Sequence, residues 1–195
     1  KGVRAAAFKA DQADRAQVEE LVKRVAEHFG RLDILVNNAG VFAGAPVGSP
    51  EADIAALDRQ YAINLQAVVT AIRTAARVMA DGGRIISIGS GLASRASFPG
   101  TADYAATKAA IVGYSKGAAR DLAPRGITVN VVETGSTDTD MNPDSGDFAA
   151  AQKALIALGR FAKPAEIAAG VTLLASPTAS YITGTVLTVD GGFAA

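Results

Sequence analysis

Tyr104 and Lys108 stand one helical turn apart in Tyr104-Ala105-Ala106-Thr107-Lys108, downstream of a serine, Ser90, that ends a strand-like run. Residues at i and i+4 project from one face of a helix, so a phenol and an ammonium can meet side by side. A nearby cation favours phenolate over phenol and draws the tyrosine pKa down from roughly 10 toward the range of a working general acid or base. The Ser90 hydroxyl can then hold a substrate oxygen beside that phenol. Taken alone, a Tyr-x-x-x-Lys pair reads as an amphipathic helix residue and a solvated lysine. Further motifs along the chain turn the reading toward chemistry.

The composition narrows the classes open to such a site. With 195 residues, 49% hydrophobic and 19% charged, the chain can form one sizeable core, and a single domain spanning residues 1–195 is expected. Its apolar runs are broken by Gly, Arg or Asp, well short of the roughly 20 residues that span a bilayer, and no secretory pattern is present. Nineteen basic residues balance nineteen acidic ones without a Lys/Arg cluster, which argues against nucleic acid or an anionic membrane as the main partner. The absence of cysteine removes disulfides, thiolate metal sites and thiol catalysis together. A cytoplasmic protein is the expectation. The chain opens at Lys1 and enters a strand-like run within a few residues, which suggests that an N-terminal piece precedes it.

The elements that would position these residues alternate. Residues 3–8 read as a strand. Asp14 with Gln17 resembles a capping box, and Val18, Leu21, Val22, Val25 and Phe29 then recur at helical spacing up to Gly30. Residues 32–36 form a second apolar run, ended by Asn37-Asn38-Ala39-Gly40, a turn sequence. An Ala-rich helical pattern over residues 51–80 predicts one bent helix or two abutting ones. Residues 84–89 and 127–132 read as buried strands, residues 102–122 as the helix between them, and residues 185–189 as a last strand before Asp190-Gly191-Gly192. Pro164 opens a further helix at its first turn. Strands alternating with helices of this length predict an α/β fold with a mostly parallel, doubly wound sheet. In such sheets ligands sit beyond the carboxyl ends of the strands, where Asn37 to Gly40, Ser90 and the loop after Val132 all fall.

These residues resemble the short-chain dehydrogenase/reductase family of Rossmann-like enzymes, and the motifs occur in family order through nearly the whole chain. The family's Asn-Asn-Ala-Gly turn appears at Asn37 to Gly40, its helix asparagine at Asn64, its serine at Ser90, its Tyr-x-x-x-Lys at Tyr104 and Lys108, and its terminal Asp-Gly-Gly at Asp190 to Gly192. The classical branch containing 3-oxoacyl-carrier-protein reductases is the most similar. A bacterial subgroup of biofilm-dispersal proteins that bind cyclic-di-GMP is similar around Arg125 to Thr128 and Asp138 to Pro143.

The resemblance implies that Tyr104 exchanges a proton at the substrate oxygen while a nicotinamide exchanges a hydride with the adjacent carbon. It implies further that Lys108 holds the nicotinamide ribose, Ser90 orients the carbonyl or alcohol, and Asn64 holds a water that links the lysine to solvent. Asp11 would touch the adenine, Asn37, Ala39 and Gly40 would line the adenosine ribose, and Gly135, Thr137 and Thr139 would line the nicotinamide side. The cofactor would be NADP or NAD, with NADP favoured.

The family's glycine-rich phosphate turn, with its first two strands, has no counterpart in this sequence, so the fold expected is an N-terminally truncated one. Residues 3–8 would then pair beside residues 32–36 or fray. Thr134-Gly135 replaces the family's Pro-Gly. Asp138-x-Asp140-x-Asn142 is similar to the opening of a calcium loop, yet Pro143 occupies the position that needs Gly; a substrate lid is the preferred reading and no metal is expected. His28 sits at a helix end and is assigned no chemistry. Substrate choice falls to the loops at residues 41–49, 94–101 and 136–148. The helical regions 51–80 and 102–122 are expected to pair in a homodimer or homotetramer. Two functions remain open: an NAD(P)-dependent oxidoreductase acting on a small carbonyl or alcohol, and a regulatory protein sensing a nucleotide such as cyclic-di-GMP on the same scaffold.

Overall fold

Short β-branched runs build the sheet. Ile34–Asn37 (β1), Arg84–Ile88 (β2), Thr128–Thr134 (β3) and Val186–Val189 (β4) pair in the order β1-β2-β3-β4, every pair parallel, in a computed structural model that describes residues 2–195. The register sets Val36 beside Ile86, Ile86 beside Asn130, and Val132 beside Leu187. Because side chains alternate along a strand, the central strands carry two apolar faces. Ile85, Val129 and Val131 share a core with Arg15–Phe29 (α1), Val68–Val78 (α3) and Ala102–Leu122 (α4), whereas Ile86 and Val132 pack with Pro164–Ala175 (α6). Each fully buried Ile or Val contributes about 2 kcal/mol. The parallel, doubly wound α/β class read from the sequence is the observed one.

Helix boundaries follow local chemistry. Asp14 caps α1 by accepting from the Ala16 and Gln17 N–H groups, and Gly30, at φ 75°, closes it. Gln17 donates its amide to Asp14 but accepts from the Asp11 N–H, so the expected reciprocal capping box is only half formed. The long pattern over residues 51–80 is one helical rod with a wider turn in its middle. Ile54–Tyr61 (α2) passes into a π-helical turn, Ala62–Ala67, and then into α3. Such turns bulge one residue out of the regular ladder, and here the residue inside the turn is Asn64, fully buried. A short helix, Gly146–Lys153 (α5), follows the loop after β3.

The strand expected at residues 3–8 does not form. No ladder hydrogen bond joins it to β1, and Val3 is 80% exposed. A lone extended run has no partner for its backbone groups. The Phe8 ring instead meets the end of α1, edge-on to His28 at 5.5 Å and beneath Arg24 at 5.2 Å. Of the two outcomes expected for this run, pairing beside β1 does not occur. No helix among the described residues is long and apolar enough to cross a membrane.

Candidate active site

The carboxyl ends of β1, β2 and β3 open into a cleft of about 1000 Å³. Ala39 and Gly40 follow β1, Ser90 follows β2, and Gly135, Thr137 and Thr139 follow β3; all line the cleft together with Tyr104 and Lys108 of α4. Ser90 is extended (φ −157°, ψ 141°) and caps the 3-10 turn Gly91–Ala93, its hydroxyl accepting from the Leu92 N–H at 3.2 Å. Ser90 and Tyr104 of α4 line the same cleft, and the Ser90 hydroxyl is close enough to draw the phenol pKa down.

Lys108 is buried, and its ammonium donates to the Ile88 carbonyl, the last of β2, at 2.9 Å. An ammonium has three donors, so this bond anchors the lysine while leaving others for a bound hydroxyl. Burial holds its pKa down to about 8. The same Nζ lies 5.6 Å from the centroid of the Tyr104 ring.

The expected lowering of the tyrosine pKa is reversed. Burial pushes the Tyr104 phenol above its usual 10, and only the Ser90 hydroxyl pulls it partly back. Desolvation of the phenol is the largest effect on it.

Asn64 is engaged through its side chain. Its Oδ1 accepts from the Val41 N–H at 2.9 Å and its Nδ2 donates to the Val41 carbonyl at 2.8 Å. The side chain thereby clamps the loop after β1 to the π turn. A Cβ placed on Gly40 would lie 3.4 Å from Asn64 Oδ1 and 3.7 Å from Lys108 Nζ, so Gly40 sits between the two. Gly135 is required by packing as well: a Cβ there would come within 2.7 Å of the Asp190 Cα, which places Asp190-Gly191-Gly192 directly behind the cleft wall.

Besides Asn64, two further sequence candidates fall outside the cleft lining. Asn37, on β1, turns its amide to the Ser87 hydroxyl at 3.1 Å, a cross-strand bond beneath the turn. Asp11 forms a tight turn through the Ala13 N–H, pairs with Arg59 at 3.1 Å, and lines no part of the cleft. The Ala13 N–H and the Arg59 guanidinium hold its carboxyl below the usual range. In the calcium-like loop, Asp138 accepts from the Asp144 N–H and Asp144 pairs with Lys153, which folds the loop over the cleft.

The comparison with known proteins fits this arrangement. A family model described as enoyl-(acyl carrier protein) reductase matches residues 1–194. A short chain dehydrogenase from Burkholderia cenocepacia, solved in complex with NADP, superposes with a TM-score of 0.96 at 48% identity, covering 100% of this chain and 78% of that one. The chain belongs to the short-chain dehydrogenase/reductase family. Among curated family members, the cyclic-di-GMP-binding biofilm dispersal mediator protein of Escherichia coli is 44% identical over 95% of this chain and 76% of its own length. The 3-oxoacyl-[acyl-carrier-protein] reductase of Salmonella typhimurium is 41% identical over 92% and 73%. The family is one of oxidoreductases, and the cofactor class supported by its solved members is NADP.

Sequence reasoning missed two features of this family member. Phe42 and Phe98, from two loops, and Phe148, from the first turn of α5, line the outer cleft. The three segments carry the expected substrate choice, but nothing in the linear sequence shows that their aromatic rings converge. Glu133 on β3 is 3% exposed and accepts from the Ser94 hydroxyl at 3.0 and 3.2 Å. An acidic residue directly after the buried run at residues 127–132 is the signal that was available.

Proposed function

We propose that this chain carries the proton-transfer site of an NADPH-dependent reductase that interconverts a carbonyl and an alcohol. The observation that carries the reading is the convergence of the Tyr104 phenol, the Ser90 hydroxyl and the Lys108 ammonium on one wall of the cleft, at the end of β2. Ser90 holds the substrate oxygen, and Tyr104 passes its proton to that oxygen as a hydride reaches the carbon. A C=O bond becomes HC–OH, and the tyrosinate left behind regains its proton from solvent. Lys108 stabilises that tyrosinate through its positive charge. A phenol raised above 10 by burial is protonated at neutral pH, the state that reduction requires.

The residues fit a nicotinamide cofactor. Lys108 has donors to spare for ribose hydroxyls, Ala39 and Gly40 permit close backbone approach, and Thr137 and Thr139 offer hydroxyls at the cleft wall. The cofactor, when bound, supplies the hydride. NADP is favoured over NAD because the Burkholderia relative was solved with NADP.

The second reading, a nucleotide-sensing regulator, is favoured by one observation, the name of the E. coli relative. Protein expressed from its complete reading frame, assayed for NADPH oxidation against a panel of ketones and aldehydes, separates the two. Turnover supports the reductase; no turnover together with tight binding of cyclic-di-GMP transfers the conclusion to the regulator. We also propose that the protein forms a homodimer or homotetramer through the exposed small residues Ala102, Ala106, Ala109, Gly113 and Gly117 of α4. A monomer in light scattering overturns that assembly.

A further inference from the structure

Outward from Tyr104 the cleft changes character. The Phe42 ring meets Tyr104 edge-on, with centroids 5.2 Å apart and planes at 65°. Across the cleft mouth Phe98 and Phe148 lean together at 5.3 Å and 58°. Although they line a concave site, Phe42 is 50%, Phe148 62% and Met141 57% exposed. Apolar surface held open to water in a cleft is stabilised when a ligand covers it. Aromatic faces and edges presented together favour another ring over an alkyl chain.

The charges of the lining point the same way. Among the described residues Lys108 and Asp140 are its only charged side chains, and Lys108 is buried at the inner end, tied to the Ile88 carbonyl. An anionic group in the outer half would meet a carboxylate and no cation, and would lose its hydration without a partner.

We infer that the substrate of this site is an uncharged carbonyl compound bearing an aromatic ring next to the reacting carbon, with Phe42, Phe98 and Phe148 holding the ring and excluding carboxylate or phosphate groups from it. The inference rests on the reading of Tyr104 as the proton donor. It deepens that reading by naming the substrate class, and it assigns specificity to three residues outside the Ser-Tyr-Lys group.

The test uses protein from the complete reading frame, NADPH, and three 2-oxo compounds. Methyl benzoylformate has the ring and no charge, benzoylformate has the ring and a carboxylate, and methyl pyruvate has neither ring nor charge. The expected kcat/KM for methyl benzoylformate exceeds that for each of the others by about tenfold or more, the discrimination typical of a filled apolar pocket. Phe148→Ala, at a mostly exposed position where truncation leaves the core intact, is expected to collapse the preference over methyl pyruvate by about tenfold. Equal or better turnover of benzoylformate or methyl pyruvate by the unaltered protein overturns the substrate class while leaving the reductase in place. An unchanged preference in Phe148→Ala and in Phe98→Leu overturns the role of the rings. No turnover of these or any other carbonyl removes the reductase reading and this inference with it.

Discussion

Lys108→Met is expected to make the protein more stable at neutral pH while removing its activity. Burial holds the Lys108 ammonium at about 8 against an ordinary 10.5, so the unfolded chain binds that proton more tightly than the folded one. Below pH 8 both states are protonated, and the folded state bears the whole cost of the buried charge, roughly 3 kcal/mol. Between pH 8 and 10.5 the folded protein sheds the proton first and the cost disappears. Methionine fills a similar volume without charge, but it leaves the Ile88 carbonyl, now 2.9 Å from Nζ, without its donor, a loss of about 1 kcal/mol. The net expectation is a gain of about 2 kcal/mol at pH 7 that fades toward pH 10 and turns into a small deficit above it. Urea denaturation followed by circular dichroism at pH 7, 9 and 10.5 measures the difference. A variant less stable than the parent at pH 7, or a difference that does not change with pH, refutes the claim that Lys108 is a strained, buried cation kept for function.

Three further expectations follow from the same geometry. Carbonyl reduction, followed as kcat/KM against pH, should fall as pH rises past about 8, where Lys108 loses its charge; a profile flat to pH 10 contradicts the role given to that ammonium. Ser94→Ala strands the Glu133 carboxylate, whose hydrogen bonds at 3.0 and 3.2 Å come from that hydroxyl, and should cost roughly 1–3 kcal/mol in thermal unfolding. Adding Glu133→Gln should recover part of it, and no recovery argues against an unpaired buried charge. Gly135→Ala forces a Cβ to within 2.7 Å of the Asp190 backbone, with an expected loss of roughly 1–3 kcal/mol; a neutral substitution there means the Asp190 turn does not pack as described.

What the sequence made legible was the part set by local pattern. The bounds of α4 came out as read, because Tyr104, Lys108 and Ile111 repeat at helical spacing and Pro124 stops the run. The parallel order followed from alternating strands and helices, and it placed Ser90 and Gly40 on the same sheet edge. The rest depended on contacts distant in sequence. Residues 3–8 have strand composition but no partner, and composition does not supply one. The direction of the Tyr104 shift depends on how deeply the fold buries the phenol, which helical spacing does not show. Asn64 stands in its motif position, but its two bonds to Val41 are contacts across the fold that the motif does not show. Asn37 and Asp11 sit in motif positions, yet Ser87 and Arg59, far along the chain, take their side chains.

The claim on which the account depends is that the Tyr104 oxygen delivers the proton. A single-turnover measurement of NADPH oxidation with methyl benzoylformate, comparing the parent with Tyr104→Phe, tests it most directly, since the variant removes one hydroxyl from a ring that stays packed against Phe42. The rate is predicted to fall by roughly 10²–10⁴-fold, with NADPH affinity, read by cofactor fluorescence, unchanged. A Tyr104→Phe protein that binds NADPH and reduces the carbonyl within a few fold of the parent contradicts the account.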